Sequence, residues 1–305
     1  MLDVLHGRRS LGERSQAGQA DFVRLREAGV KLQFLAVFIE QPYRQAGALR
    51  RALQGIELLH REVERNAAKV RLIKSRRELT ELDREECLGV LLSIEGGEAL
   101  EGELYTLSIL HRLGVRSLGL TWNDRNCLGD GVGVGERHRG LTELGKQVIR
   151  EMNRLGMLVD LAHLAEKGFW EALEISEAPV VVTHANCRKL CPHRRNLTDE
   201  QLKALAVKGG LVGITFVPEF VDGLHPSVDK LLDHVEHAVT VMGVDHVGFG
   251  SDFDGMDQVL PGLETAMAWP RLLDRLAGRG FSDEDIHKIT GDNWLRVLGQ
   301  VLPAE

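Results

Sequence analysis

The chain has 305 residues, of which 43% are hydrophobic and 27% are charged, and its net charge at pH 7 is −7. This acidic balance argues against a general nucleic-acid binder, which needs a basic surface. The 4 cysteines do not indicate a disulfide scaffold. The sequence has no apolar run of about 18 residues and no secretory signal, so we expect a cytoplasmic protein that does not contact a membrane.

Short apolar runs that predict strands alternate with amphipathic segments that predict helices. A helix-like stretch, Asp21–Glu27, comes first. The predicted strands are Leu32–Ile39, Leu88–Ile94, Val115–Thr121, Met157–Leu161, Pro179–Thr183, Leu211–Val217 and His246–Gly250. The predicted helices are Leu49–Leu79, Leu141–Leu155, Ala165–Ile175, Asp199–Ala206, Ser227–Met242, Leu263–Leu276 and Asp283–Leu298. This alternation is typical of an α/β protein with a parallel sheet or barrel.

The number of strands sets a second expectation. A closed (β/α) barrel needs eight strands, whereas the pattern predicts seven and places a helix before the first of them. We therefore expect a single barrel domain over residues 1–305, with its first strand missing or truncated at the N-terminus. The alternative is an open, doubly wound sheet of seven strands.

Side chains that can bind a metal follow several of the predicted strands. They are Glu95, His163, His184 and Asp252. The carboxyl ends of barrel strands open onto one face, where active sites are built. One such residue alone is more often an ordinary polar side chain than a ligand. Four of them in equivalent positions predict a site for zinc or another divalent transition metal.

Three assignments near this site stay open on the residues alone. Asp252 and Asp254 share one turn, and we prefer Asp252 as the inward carboxylate because it is nearer the strand. Asp160 either supports a ligand histidine or makes a structural hydrogen bond. Arg194 and Arg195 form either a solvated basic pair or, in one of them, a grip on a substrate carboxylate.

Two further segments resemble known motifs only superficially. HANCRKLCPH places Cys187 and Cys191 between His184 and His193, but the spacing differs from that of structural zinc sites, so we expect unpaired thiols. The glycine-rich run GDGVGVGERHRG, residues 129–140, lacks the spacing of a phosphate-binding loop. We expect a mobile loop at the active site there.

A set of motifs spread along the chain resembles the membrane (renal) dipeptidase family of zinc dipeptidases, especially its soluble bacterial members. The motifs are SIEGG, LTWNDRN, LGMLVDLAH, VTHANCR, RRNLTDEQL, VGFGSDFDG and DNWLRV. The resemblance implies a (β/α)8 TIM-type barrel of the amidohydrolase kind with two zinc ions. It matches Glu95 to a glutamate that bridges the metals, and His163 and His184 to ligands of the second zinc. Asp252 matches a proton-transferring aspartate, and Arg195 matches the arginine that holds the substrate carboxylate.

The chain departs from the family pattern in two places. The His-x-Asp motif that ends the family's first strand and supplies ligands to the first zinc is missing, and His6 does not replace it. From this we expect a native start farther upstream and at most one tightly bound zinc in the 305-residue form. Trp122 stands where mammalian relatives have a substrate-contacting histidine, whereas soluble bacterial members often have a Trp-Asn pair. We expect Trp122 and Asn123 to line the substrate pocket.

The resemblance implies hydrolysis of dipeptides, with tolerance of a D-residue at the C-terminal position. Two alternatives remain at this stage. One is another metal amidohydrolase, acting on a lactone or cyclic amide, although Glu95 stands where such enzymes often use a lysine. The other is an inactive metal- or ligand-binding barrel, because the His-x-Asp ligands are absent. A homodimer is left open as the assembly.

Overall fold

The computed structural model describes residues 2–82 and 86–305, and a parallel sheet lies at its centre. The strands are β1 Leu32–Phe38, β2 Val70–Leu72, β3 Leu88–Glu95, β4 Val115–Gly119, β5 Leu158–Asp160, β6 Val181–Val182, β7 Leu211–Ile214 and β8 Val247–Phe249. The strand order is β1-β3-β4-β5-β6-β7-β8, and β2 pairs with β3. Strands adjacent in this order are joined by crossover segments that contain helices, the connectivity of a (β/α) barrel.

Helices fill these crossovers and flank the sheet. The described α-helices are α1 Leu2–Leu5, α2 Phe22–Glu27, α3 Gln41–Arg44, α4 Ala48–Arg65, α5 Arg76–Leu82, α6 Leu104–Arg112, α7 Glu143–Leu155, α8 Glu166–Ile175, α9 Asp199–Val207, α10 Pro218–Val221, α11 Val228–Met242, α12 Trp269–Gly278, α13 Asp283–His287 and α14 Asn293–Val301. A π-helical turn, Lys288–Asp292, joins α13 to α14. None of the described helices has the length and apolar character needed to cross a membrane.

Two hydrophobic clusters pack on the sheet, because successive side chains of a strand point to opposite faces. Val90 and Leu92 of β3 belong to the larger cluster, which includes the buried faces of most surrounding helices. Leu91, between them, belongs to a smaller cluster. That cluster joins residues of four strands to α14 and the chain's C-terminal end, through Leu91, Leu158, Val181, Leu211, Val297, Leu298, Val301 and Leu302.

The sheet is curled but not closed by hydrogen bonds. Within residues 2–82 and 86–305, no ladder joins β8 to β1. Side chains of α14 lie at this edge instead: Asn293 Nδ2 donates to Val247 O at 2.8 Å, and Trp294 Nε1 donates to Phe249 O at 3.1 Å. The Trp294 ring also lies 5.1 Å from the Phe34 ring of β1. α14 thereby satisfies carbonyl groups that would otherwise need a strand partner.

The prediction of one helix over Leu49–Leu79 is wrong. α4 ends at Arg65, Val70–Leu72 forms β2, and α5 begins at Arg76. β2 pairs with residues 88–90 of β3, while β4 pairs with residues 92–95 along the same edge of that strand. β2 and β4 thus share one position beside β3, and the eight strands occupy seven positions around the curl.

Candidate metal centre

Three of the predicted donor side chains meet at the carboxyl ends of the strands. Glu95 ends β3, His163 follows β5, and His184 follows β6. Glu95 Oε1 lies 2.9 Å from His163 Nε2 and 3.5 Å from His184 Nε2. The two Nε2 atoms are 2.9 Å apart. Both histidine side chains are largely buried, at 7% and 12% exposure.

Hydrogen bonds to the other ring nitrogens fix the tautomers of the two histidines. His163 Nδ1 lies 2.8 Å from Asn123 Oδ1, which can only accept, so Nδ1 carries the hydrogen. Thr183 Oγ1 donates to Asp160 Oδ2 at 2.6 Å and therefore accepts from His184 Nδ1 at 2.9 Å. Asp160, left open above, thus supports His184 through Thr183. Each neutral imidazole presents its Nε2 lone pair to the centre.

The donor set fits a zinc ion. Burial, reinforced by the charge of Arg195, lowers the pKa of both His163 and His184 well below the usual range, so both rings are neutral at pH 7. Three acceptor atoms then face one another with no hydrogen between them, an arrangement that a cation stabilises. Ligands of a tetrahedral zinc with bonds of about 2.0–2.1 Å lie about 3.3–3.4 Å apart. The observed separations of 2.9–3.5 Å bracket that value.

Asp252, in the turn after β8, is the inward carboxylate of its loop. Burial and the charge of Glu95 raise the pKa of Asp252 to about 8, and Arg195 acts in the opposite direction. Asp254 instead binds Arg9 and the backbone of Gln19. Neither aspartate continues the strand, because β8 ends at Phe249 and both residues have positive φ, +61° and +65°.

Arg195 is the buried member of the arginine pair, with 5% exposure, while Arg194 is exposed. Its Nη2 donates to His184 O at 3.2 Å, and its guanidinium lies 5.5 Å from the Phe220 ring. Arg195 Nε has no hydrogen-bond partner in the described part of the chain. Burial lowers the pKa of Arg195 to about 10, so the group is still charged at pH 7. It offers a buried cationic donor beside the metal centre.

Trp122 and Asn123 play different parts at the site. The Trp122 ring lies 5.7 Å from the His163 ring and forms an aromatic wall beside it. Phe38, 5.5 Å from Trp122, and the Arg44 guanidinium, 4.4 Å from the same ring, complete this wall. The Asn123 side chain is bonded to His163 and orients that ring. Sequence reasoning named neither Phe38 nor Arg44, and no motif marks them.

The glycine-rich run is held in place by the segments that build the site. Val132 N donates to His163 O at 2.8 Å, and Gly133 N donates to Asn123 O at 2.7 Å. A Cβ at Gly131 would lie 1.9 Å from Trp122 O. These glycines permit a close approach of two backbones, so the run supports the site.

The cysteines of the HANCRKLCPH segment lie apart from the metal donors. Cys187 Sγ donates to His234 O at 3.4 Å, and Cys191 Sγ donates to Glu219 O at 3.4 Å. Both thiols are unpaired, as predicted. Burial raises the pKa of Cys187 to about 12, so that thiol stays protonated and makes a poor metal ligand.

Comparison with known proteins decides the family. The family model for membrane dipeptidases, peptidase family M19, matches residues 3–304. The chain belongs to the membrane dipeptidase family. It is 34% identical over 292 residues to dipeptidase verJ of Clonostachys rogersoniana, which covers 92% of this chain and 75% of that protein. It is 36% identical over 259 residues to an uncharacterized protein of Klebsiella pneumoniae encoded in the pqqA 5′ region, covering 81% and 95%.

Solved structures of this metallopeptidase family share the fold. A family M19 metallopeptidase named dipeptidase AC superposes with a TM-score of 0.92 at 29% identity, covering 99% of this chain and 96% of that one. A metallopeptidase from Rhodobacter sphaeroides, solved with a phosphinate mimic of the dipeptide L-Ala-D-Ala, superposes with a TM-score of 0.92 at 28% identity, covering 98% and 96%. The predicted family, the barrel-type α/β fold and a hydrolase acting on peptide bonds are confirmed.

Proposed function

We propose that this family member hydrolyses dipeptides with a zinc ion held by Glu95, His163 and His184. The convergence of their three acceptor atoms at 2.9–3.5 Å carries the proposal. In the described ranges this is the one cluster of at least three such donors. Zinc bound there supplies a Lewis acid for the scissile carbonyl and lowers the pKa of a water molecule.

Asp252 handles the proton in this proposal. Asp252 follows β8 at the carboxyl end of that strand, and the charges of Glu95 and Arg195 act on its pKa. A nearby cation favours the ionised form of a carboxyl group. Asp252 then accepts a proton from the attacking water and delivers it to the leaving amine.

Arg195 binds the free C-terminal carboxylate of the substrate, and Trp122 lines the pocket beside it. The guanidinium is charged and buried, and its Nε is unsatisfied. A charge-assisted hydrogen bond to a carboxylate would satisfy it and would restrict the enzyme to short peptides. The ligand of the Rhodobacter sphaeroides relative mimics a dipeptide with a D-residue at its C-terminal position. We extend that tolerance to this enzyme.

Zinc titration and hydrolysis assays on the full chain test the metal assignment. We expect one tightly bound zinc per chain, dipeptide hydrolysis that chelation abolishes and zinc restores, and loss of tight binding in His163→Ala. A chain that binds zinc but hydrolyses no dipeptide would contradict the function and favour a metal-binding barrel. A chain that binds no zinc would contradict the site.

Arg195→Ala tests the carboxylate assignment. We expect kcat/KM on dipeptides with a free carboxylate to fall by about 10- to 150-fold, which corresponds to about 1.5–3 kcal/mol for a bond to a charged group. Activity on C-amidated dipeptides should change little. Arg194→Ala, at the exposed neighbouring position, is the matched control. An equal fall in kcat/KM on both substrate types would show that Arg195 does not bind the carboxylate.

A further inference from the structure

The loop that carries Asp252 is tied to a segment near the start of the chain. Asp254 N donates to Gln19 Oε1, and Gln19 N donates to Asp254 Oδ1, each at 2.5 Å, across 235 positions of sequence. The Arg9 guanidinium pairs with Asp254 Oδ2, and Arg9 Nη1 donates to Ala20 O at 2.6 Å. The Arg9 side chain is 1% exposed. We call Arg9, Gln19 and Asp254 the Asp254 clamp.

The loop has a conformation that needs such support. Asp252 and Asp254 both have positive φ, which is unfavourable for residues with a side chain, although aspartate tolerates it better than most. Gly255 N donates to Asp252 O at 3.0 Å and closes the turn. Asp252 Oδ1 lies 2.2 Å from the place where a Gly255 Cβ would stand. The direction of the Asp252 carboxylate thus depends on this turn being held.

The other side of the clamp is anchored independently. Glu62 of α4 is buried, and its Oε2 accepts hydrogen bonds from Ser10 Oγ and Leu11 N, each at 2.7 Å. Asp21 caps α2 through Arg24 N at 2.8 Å. The segment that contains Arg9 and Gln19 is therefore fixed at both ends and gives the clamp a firm base.

We propose that Arg9, Gln19 and Asp254 are positioning residues, which hold Asp252 in the direction needed for proton transfer. The inference rests on the role of Asp252 under the proposed function. Opening the clamp leaves Glu95, His163, His184 and Arg195 in place, because none of them takes part in it. Zinc content and KM should therefore survive while kcat falls.

Two substitutions open the clamp from its two sides. Asp254→Asn removes the charge that pairs with Arg9. Asparagine still tolerates positive φ, and its side-chain oxygen can still accept the hydrogen bond from Gln19 N. Arg9→Met removes the guanidinium and keeps much of the stem. Arg8→Met is the matched control, because it breaks the exposed pair of Arg8 with Asp3 at 3.0 Å in the same segment. We expect a fall in kcat of about 10- to 100-fold in both clamp variants.

Both clamp variants should keep KM and zinc content within about two-fold, and the double variant should lose little more than the worse single one. Arg9→Lys, which keeps the charge, should recover part of kcat. Hydrogen–deuterium exchange across residues 250–256 should be faster in the clamp variants and unchanged in Arg8→Met.

The outcomes separate this inference from the proposed function. If Asp252→Asn keeps its kcat, the proposed role of Asp252 fails. If Asp252→Asn is inactive while both clamp variants keep kcat per zinc-loaded molecule, the clamp inference is overturned and the proposed function stands. A lowered melting temperature with unchanged kcat shows a purely structural role and overturns the inference too.

Discussion

The hydroxyl group of Thr183 determines which ring nitrogen of His184 is free to bind a metal. Thr183 Oγ1 has one hydrogen, which it gives to Asp160, so it must accept from His184 Nδ1. That leaves the Nε2 lone pair of His184 directed at Glu95, 3.5 Å away. The ligand character of His184 is therefore set by a residue that does not itself reach the centre.

Thr183→Val tests this dependence. Valine has nearly the shape of threonine but no hydroxyl, so His184 loses its tautomer partner and its orientation. We expect zinc affinity to fall by about 10- to 100-fold, the usual effect of removing such a support. Competition titration against a chelator of known affinity measures it.

Thr215→Val is the control for that substitution, because the buried Thr215 hydroxyl has no hydrogen-bond partner among the described residues. Its zinc affinity should match that of the unsubstituted chain. Equal affinity in all three proteins would show that the tautomer of His184 is not set by Thr183.

The convergence of three donor side chains could be expected from the sequence, because strand topology decides their position. Glu95, His163 and His184 converge because the carboxyl ends of parallel strands share one edge of the sheet. The partners of the histidines were not predicted in these roles, because a hydrogen bond from Asn123 or Thr183 depends on side-chain rotation. The strand pattern of a sequence does not contain that information.

At the scale of elements, the glycine-rich run stabilises the metal centre through backbone hydrogen bonds alone. Its backbone bonds hold Asn123 and His163 together, and Gly131 allows the two segments to approach. A methyl group at Gly131 would collide with Trp122 O at 1.9 Å, and a backbone atom cannot yield as a side chain does.

We therefore expect Gly131→Ala to lower the free energy of unfolding by about 1–3 kcal/mol, as overpacked sites do, and to weaken zinc binding as His163 shifts. Urea denaturation and zinc titration measure the two effects. Gly223→Ala is the control, since a Cβ there has open space around it. If Gly131→Ala is as stable as Gly223→Ala, the run is not packed as described.

The prediction of helices and strands failed where a helical pattern of charged residues continues past the end of α4. The segment after Arg65 stays rich in charge, so its periodicity hides β2, whose Val70 is buried beside β3. Strand ends were also placed too late, as at Leu211–Val217, because apolar residues continue past β7 into the loop. The predicted helix Asp283–Leu298 contains the π-helical turn, which interrupts the periodicity too little to be read from the sequence.

At the scale of the whole molecule, α14 and the curled sheet depend on each other. Asn293 and Trp294 donate hydrogen bonds to carbonyl groups at the unpaired edge of β8. The rest of α14 covers Leu91 and the smaller hydrophobic cluster on one face of the sheet. Burial within the fold lowers the pKa of histidines on several elements, so these rings are neutral at pH 7. They include His163, His184 and His234.

The burial of these histidines predicts that acid destabilises the fold. Burial lowers the pKa of His234, whose Nδ1 accepts from Cys187 N at 3.1 Å and whose Nε2 donates to Val221 O at 2.9 Å. Below about pH 6.5 the unfolded chain binds a proton at this position that the folded chain excludes. The free energy of unfolding therefore decreases as the pH decreases, by up to about 1.4 kcal/mol per pH unit for each such group.

We expect the zinc-free protein to lose stability between pH 7 and pH 5, and His234→Gln to lose less over the same interval. Glutamine can still donate to Val221 O but takes up no proton, so the difference in slope isolates His234 from other titrating groups. His225→Gln, at an exposed position, should follow the unsubstituted protein. Urea unfolding at several pH values gives the slopes. If His234→Gln and the unsubstituted chain have the same slope, His234 takes up its proton equally in the folded and unfolded states, and burial does not exclude it.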